Sequence, residues 1–174
     1  MAATISLLEE RPLRDITIEA IAQQAGVGKA TIYKWWPNKA YLALEAFLTC
    51  TEKHVEIPDT GSARIDFAIQ VKSLMHFYMS RTGSIFCQFL VEGRQDPEFA
   101  EYLRKGFINA RRAMVKEILF RGLSRGEIRG GLDSEIVIDL IYGPIFYRLL
   151  AGHAPLNDGE VDKLIDTLFD GLKS

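Results

Sequence analysis

The apolar residues of this chain recur at three- and four-residue steps almost from end to end. Ile18, Ile21, Ala22 and Ala25 form one such set, and Phe67, Val71, Leu74, Met75 and Tyr78 a second. Phe99, Leu103, Phe107, Ala110, Met114 and Ile118 form a third, and Val161, Leu164, Ile165, Leu168 and Leu172 a fourth. Each set makes one apolar stripe on the 3.6-residue period of an α-helix. No segment alternates apolar and polar residues between hairpin turns, so no strand is predicted. The pattern predicts an all-α chain of about nine helices, with an N-terminal three-helix head and a C-terminal helical bundle.

The breaks between stripes set the helix ends. Thr17 is placed to cap a helix that ends near Ala25 and Gly26. Gly28 opens a short second helix that Pro37 stops, and Asn38 caps a third running to about Lys53. Ile57 to Gly61 reads as a loop and marks the expected division into a head, residues 1–53, and a body, residues 54–174. Ser62 is expected to cap a helix to about Arg81. Asp96-Pro97-Glu98 supplies a cap, a first-turn proline and an acid on the helix dipole. Gly122 to Gly131 connects, Asp133 opens the next helix, and Asn157 or Asp158 the last. The helix from Ile136 to Leu150 is apolar on nearly every side, with only Asp139 and Arg148 charged. Such a helix is buried on more than one side, here against its own core and a partner subunit.

Composition narrows the class without naming a function. Of 174 residues, 48% are hydrophobic and 25% charged, an ordinary globular profile rather than a disordered one. The net charge of -2 is no signature of nucleic-acid binding, so any such contact must come from a local patch. Cys50 and Cys87 are too few for a disulfide framework and read as reduced, buried thiols. Met1 to Leu8 lacks a basic start and a long apolar core, and Ile141 to Gly152 contains Arg148 and is too short for a bilayer. A cytoplasmic protein with no membrane partner is expected.

Residues 17–39, TIEAIAQQAGVGKATIYKWWPNK, carry the chemistry. Two short helices joined by a glycine turn at Gly26 make a helix-turn-helix, whose second helix enters the major groove of DNA. Ile18, Ile21 and Ala22 are expected to pack the first helix on the head's core, Val27 and Ile32 the second, with Ala25 small where two backbones approach. Trp35 and Trp36 read as packing residues. That leaves Lys29, Ala30, Thr31, Tyr33 and Lys34 facing outward. Between Val27 and Tyr41 stand three lysines, Lys29, Lys34 and Lys39, and no acid, although residues 1–54 as a whole hold six basic and six acidic residues. Lysine amines and a tyrosine hydroxyl hold phosphates. Lys29 and Thr31, in the first turn, are nearest base edges, and Ala30 can touch a thymine methyl.

At this spacing the segment resembles the signature of the TetR family of transcriptional regulators. The matched positions are Thr17, Ile21, Ala22, Ala25, Gly26, Val27, Thr31, Ile32, Tyr33, Trp36, Asn38 and Lys39. The stretch Gly143 to Leu150 is similar to a helix found in one branch of the family's bodies. The resemblance implies that Thr17, Tyr33 and Lys39 hold phosphates, while Lys29, Ala30, Thr31 and Lys34 face bases or nearby backbone; Gly28, at the start of their helix, is counted with them on the DNA-binding face. It implies a homodimer built by the last two helices, an approximately palindromic operator, and an apolar or aromatic effector that releases a repressor from DNA. Ile138, Ile145, Leu149, Leu164, Leu168 and Leu172 are the candidate interface residues. Phe67, Val71, Met75, Phe86, Cys87, Leu90, Tyr102, Phe107, Tyr142 and Phe146 are the candidate pocket residues, with Cys87, Gln88 and Tyr142 as polar groups to orient a ligand. The chain departs from the pattern at Gly28, where the family usually has serine, and in the few residues ahead of Arg11.

Other classes are weaker. Gly26-Val27-Gly28-Lys29-Ala30-Thr31 looks like a phosphate-binding loop, but Gln23 stands where that loop needs its first glycine and Ala30 where it needs serine or threonine. His54, His76 and His153 are isolated, so no metal is expected. No nucleophile motif occurs, no cofactor is called for, and an enzyme is disfavoured. The alternative that stays open is a helical protein-binding adaptor of the same fold, which would have no need of the acid-free lysine–tyrosine face.

Overall fold

The computed structural model describes residues 1–51 and 57–172. Within them all regular structure is helical and there is no strand, as the periodicity predicts. The helices are α1 (Ala2–Glu10), α2 (Ile18–Ala25), α3 (Lys29–Tyr33), α4 (Lys39–Thr51), α5 (Ala63–Met79), α6 (Arg81–Gln95), α7 (Pro97–Leu103), α8 (Asn109–Ser124), α9 (Ser134–Ala151) and α10 (Asp158–Leu172). A π turn, Arg104–Ile108, joins α7 to α8 without a break. No helix among the described residues is long and apolar enough to cross a membrane.

The predicted caps form where the sequence has them. Thr17 Oγ1 accepts from Ala20 N at 3.1 Å, Asp96 from Phe99 N at 3.0 Å, Asp133 from Glu135 N at 2.8 Å and Asn157 from Glu160 N at 3.1 Å. Each satisfies a first-turn amide that has no partner inside its helix. Three local expectations are corrected. The helix expected to run to Arg81 stops at Met79, because Ser80 caps a separate helix by accepting from Gly83 N at 3.1 Å. The start of α5 is capped from across the sequence: Glu127 Oε2 accepts from Ala63 N at 2.8 Å and from the Ser62 hydroxyl at 3.2 Å. The third apolar stripe changes register at the π turn, whose i→i+5 bonding takes up an extra residue. Beyond it Val115, Ile118 and Leu119 are buried, Met114 is half-buried and Ala110 is exposed.

The chain forms two compact units. The first, Met1–Val55 with Ser80–Ile108, contains α1–α4, α6, α7 and the π turn. Its core is aromatic: Phe47 packs against Phe86, Phe89 and Phe107 with ring centroids 5.5–6.4 Å apart, and Phe89 against Phe99 at 6.1 Å. Polar contacts tie α6 to the N-terminal segment. Leu13 N donates to Gln88 Oε1 at 2.6 Å and the Thr82 hydroxyl to Glu9 at 3.0 Å.

The second unit, Glu56–Met79 with Asn109–Ser174, is built on α5, α8, α9 and α10. Phe67, Val71 and Met75 of α5, Ile118 of α8, Ile138, Ile141 and Ile145 of α9, and Val161, Ile165 and Phe169 of α10 fill one core. Gly122 is required there, since a Cβ would lie 2.6 Å from the Ala63 Cβ. The loop before α5 is held by Asp66, fully buried, whose Oδ1 accepts from the Thr60 amide and hydroxyl, both at 2.7 Å.

Candidate nucleic-acid interface

Three backbone features set the α2–turn–α3 geometry. Gly26 ends α2 at φ 67°, the left-handed region open to glycine without strain, and its amide and that of Val27 close on the last carbonyls of α2. Gly28 caps α3 with no side chain, so the hydroxyl that serine would add there is missing. Lys39, half-buried at the head of α4, donates from Nζ to the carbonyls of Arg14 at 3.0 Å and Ile16 at 2.7 Å. That ammonium staples the 3-10 turn Leu13–Asp15, which leads into the capped start of α2.

Helix α3 has five residues, of which only Ile32 is buried. Lys29, Ala30, Thr31 and Lys34 are exposed, and Tyr33 is 55% exposed. Of the eight residues expected at DNA, six lie on α3 or directly beside it, with Thr17 at the start of α2 and Lys39 at the start of α4. Val27, expected in the core, is 43% exposed, and Ala25 is also exposed. The two tryptophans part company. Trp36 is half-buried and its indole donates to Glu45 at 2.7 Å, whereas Trp35, expected to pack, is 68% exposed with the Lys34 ammonium 5.7 Å from its ring centre. Trp35 thus joins the exposed face, a position its apolar character hid.

One further group on this face was missed. Glu19, in the first turn of α2, lies 2.8 Å from the Lys29 ammonium. Their hydrogen bond holds the Glu19 carboxyl below the usual carboxylate range and raises the Lys29 amine above its own. The two lie across the turn, not on one helix face, so no helical spacing rule pairs them.

The candidate pocket residues fall in both compact units. In the first, Phe86 and Phe107 are buried in the aromatic core, Cys87 is half-buried with its thiol pushed up by burial, and Tyr102 is 39% exposed beside Tyr41. Leu90 lines an open groove of about 330 Å³ with Gly93, Arg94, Ala100, Leu103, Arg104 and Ile108. Gln88, read as a polar group of the pocket, holds the Leu13 amide instead. In the second unit Phe67, Val71 and Met75 are fully buried. The Tyr142 hydroxyl donates to Gln70, and Phe146 packs on Tyr78 at 4.9 Å. Cys50, expected buried, is exposed.

The candidate interface residues divide as well. Ile138 and Ile145 are 2% and 1% exposed, occupied by their own core. Leu149, Leu164 and Leu168 are half-buried, and the Leu172 side chain lies outside the described residues, as does His54. The uncovered apolar face of α9 consists instead of Ile136, Leu140, Tyr147 and Leu150, each 49–64% exposed.

A capped helix, a glycine turn and a short outward-facing helix, set in an all-helical chain, define a helix-turn-helix transcriptional regulator. Comparison with known proteins gives the family. The model of bacterial regulatory proteins, tetR family, matches residues 1–46, and that of the tetracyclin repressor-like C-terminal domain matches residues 57–168. The chain is 40% identical over 174 residues to the uncharacterized HTH-type transcriptional regulator YdeS of Bacillus subtilis, covering all of this chain and 88% of that one. The crystal structure of the TetR family transcription regulator SCO0332 superposes with a TM-score of 0.81 at 31% identity, over 99% of this chain and 95% of that one. The transcriptional regulator FadR from Bacillus subtilis, crystallised with stearoyl-CoA, shares the fold at a TM-score of 0.68 and 23% identity, over 98% and 96% of the two chains. The chain belongs to the TetR family of DNA-binding transcriptional regulators, a family of regulators and not of enzymes.

Proposed function

We propose that the chain is a homodimeric, cytoplasmic repressor whose head grips an approximately palindromic operator and whose body answers to a small apolar or aromatic effector. The observation that carries the DNA reading is α3 itself: a helix with one buried side chain and Lys29, Ala30, Thr31, Tyr33 and Lys34 turned to solvent. Lys29 and Thr31 read bases. Thr17, Tyr33, Lys34 and Lys39, with the Gly28 backbone, hold phosphates. The head of residues 1–53 supplies this face, and the body of residues 54–174 supplies effector binding and dimerisation. The four exposed apolar residues of α9 support the dimer, because a contiguous apolar stripe on a soluble helix marks an interface.

For the effector, the supporting feature is the groove lined by Leu90, Leu103 and Ile108, which belongs to the same compact unit as α2 and α3. Helix α6 carries both a wall of this groove and Gln88, the acceptor for the turn before α2. An effector acts by preferring one arrangement of the heads over another, and α6 offers a short route for that preference. FadR of Bacillus subtilis, crystallised with stearoyl-CoA, gives a precedent for a small ligand on this fold.

The test is selection of binding sites from a random duplex library. A palindromic logo with half-sites one helical turn apart, roughly 34–36 Å, is expected. Absence of any enriched sequence, with retention on DNA no greater than on an acidic resin, overturns the reading.

A further inference from the structure

The acid-free face of α3 has an acid aimed at it from the neighbouring helix. Glu19 and Lys29 are 59% and 56% exposed, so their pairing is not forced by burial, yet the carboxylate sits at hydrogen-bond distance from the ammonium. No other ion pair of the described residues reaches Lys29, Lys34 or Lys39. The partner is also the residue whose position, in the first turn of α3, brings it closest to base edges.

We propose that Glu19 is a specificity-determining residue: its carboxylate holds the Lys29 ammonium and withholds it from the phosphates of non-operator DNA. The inference rests on the reading of Lys29 as a base-contacting residue. A lysine at the rim of a groove binds the nearest phosphate whatever the sequence, and such contacts supply essentially all non-specific affinity. A carboxylate already on the ammonium competes with each of them. On the operator, guanine O6 and N7 offer two acceptors at once, a site that the ammonium can take in exchange. The pair therefore subtracts more from random DNA than from the operator, and the ratio between the two is what a regulator needs.

The experiment is a double-mutant cycle on the full chain. Glu19→Gln and Lys29→Met, singly and together, are titrated against a random-sequence duplex and against a duplex obtained by selection, at several salt concentrations. Both residues are more than half exposed, and circular dichroism checks that all four proteins are folded. With Lys29 present, Glu19→Gln should tighten random-duplex binding by roughly three- to eightfold near 0.1 M salt and steepen the salt dependence by about one charge per subunit. The ratio of selected to random affinity should fall. With Met at position 29 the same substitution should change affinity less than about twofold, since the coupling is gone. An equal gain in both backgrounds overturns the proposal, because Glu19 would then act only as a negative charge near DNA. No gain in either overturns it too. If Lys29→Met leaves both affinities unchanged, the placement of Lys29 fails first. If Lys29→Met weakens the selected duplex and the cycle shows no coupling, the placement stands and Glu19 alone is excluded.

Discussion

Helices α3 and α9 are opposite uses of the same periodic code. In α3 one side chain of five, Ile32, is buried, and the other four are exposed. In α9 Val137, Ile138, Ile141, Tyr142 and Ile145 are buried and Ile136, Leu140, Tyr147 and Leu150 are not, although all nine positions are apolar or aromatic. A short helix can leave its surface to an outside partner only if it is fastened at both ends. Here Gly26 closes the turn just before α3, and Lys39, just after it, is tied back to the carbonyls of Arg14 and Ile16. The long helix α9 is capped as well, by Asp133 at its start and Gly152 at its end, but what it leaves uncovered is a second apolar face. On the proposed reading, chemistry marks the DNA surface of α3, and uncovered apolar side chains mark the dimer surface of α9.

The largest effect expected from this contrast is within α9. Leu140→Glu, at a position half exposed in the single chain, should leave the subunit folded and abolish the proposed dimer. Ile138→Ala, on the opposite face, should cost about 2–4 kcal/mol of stability and leave the dimer intact at temperatures where the protein is folded. Sedimentation of the two variants separates the faces. Loss of the dimer should weaken operator binding by at least about a hundredfold, because two linked heads bind far better than one. A Leu140→Glu dimer would move the interface elsewhere.

The same split should appear on a smaller scale in α3. Ile32→Ala removes its one core contact and should cost about 2–4 kcal/mol of stability. Thr31→Ala, at the residue next to Ile32 but on the exposed side, should change stability by less than about 0.5 kcal/mol and blur the selected logo at one position per half-site. Thermal melts and selected logos for the pair test whether packing and reading are separable in so short a helix.

How much of this was legible depended on whether a residue's role is local. Caps at Thr17, Asp96, Asp133 and Asn157 follow from a side chain meeting an amide two or three residues on, and they form as read. The all-α fold follows from periodicity. What escaped the sequence reading acts across distance: Gln88 reaching the Leu13 amide 75 residues away, Glu127 capping α5 from 64 residues away, and Glu19 meeting Lys29 across a turn. Burial within an apolar helix was equally hidden. Ile138 and Leu140 are alike in character, and only packing decides that one is core and the other surface. The π turn shows a third limit, since an extra residue in a helix shifts which of Met114 and Val115 faces inward without any signal in composition.

Tyr142 offers a pH test of the buried face of α9. Burial raises its phenol above the ordinary tyrosine value, and its hydroxyl donates to Gln70. The folded unit keeps the group neutral while the unfolded chain ionises near pH 10. The stability it contributes is therefore complete below about pH 10 and falls as pH rises beyond it. Tyr142→Phe should remove part of that alkaline loss and cost about 1 kcal/mol at neutral pH, through the acceptor left on Gln70. Equal slopes of stability against pH between 9 and 11, in chemical denaturation of the two proteins, would show that Tyr142 is not buried as described.

The smallest expected effect is at Lys39, where fastening and the proposed DNA contact meet in one ammonium. Two of its three N–H donors go to the carbonyls of Arg14 and Ile16, and a third is left for a phosphate. Lys39→Ala should act on both. Loss of the staple should lower the melting temperature by about 3 °C, because two carbonyls at the entrance to α2 lose a charged donor. Loss of the phosphate contact should reduce the salt slope of operator binding by about one charge per subunit and leave the logo unchanged, since phosphates carry no sequence. The two readouts divide the roles. A lower melting temperature with an unaltered salt slope would make Lys39 a staple alone, and the phosphates at this end of α3 would then fall to Tyr33 and Lys34. An unaltered melting temperature with a reduced slope would mean that the turn before α2 holds without it, with Gln88 on the Leu13 amide as the remaining fastener.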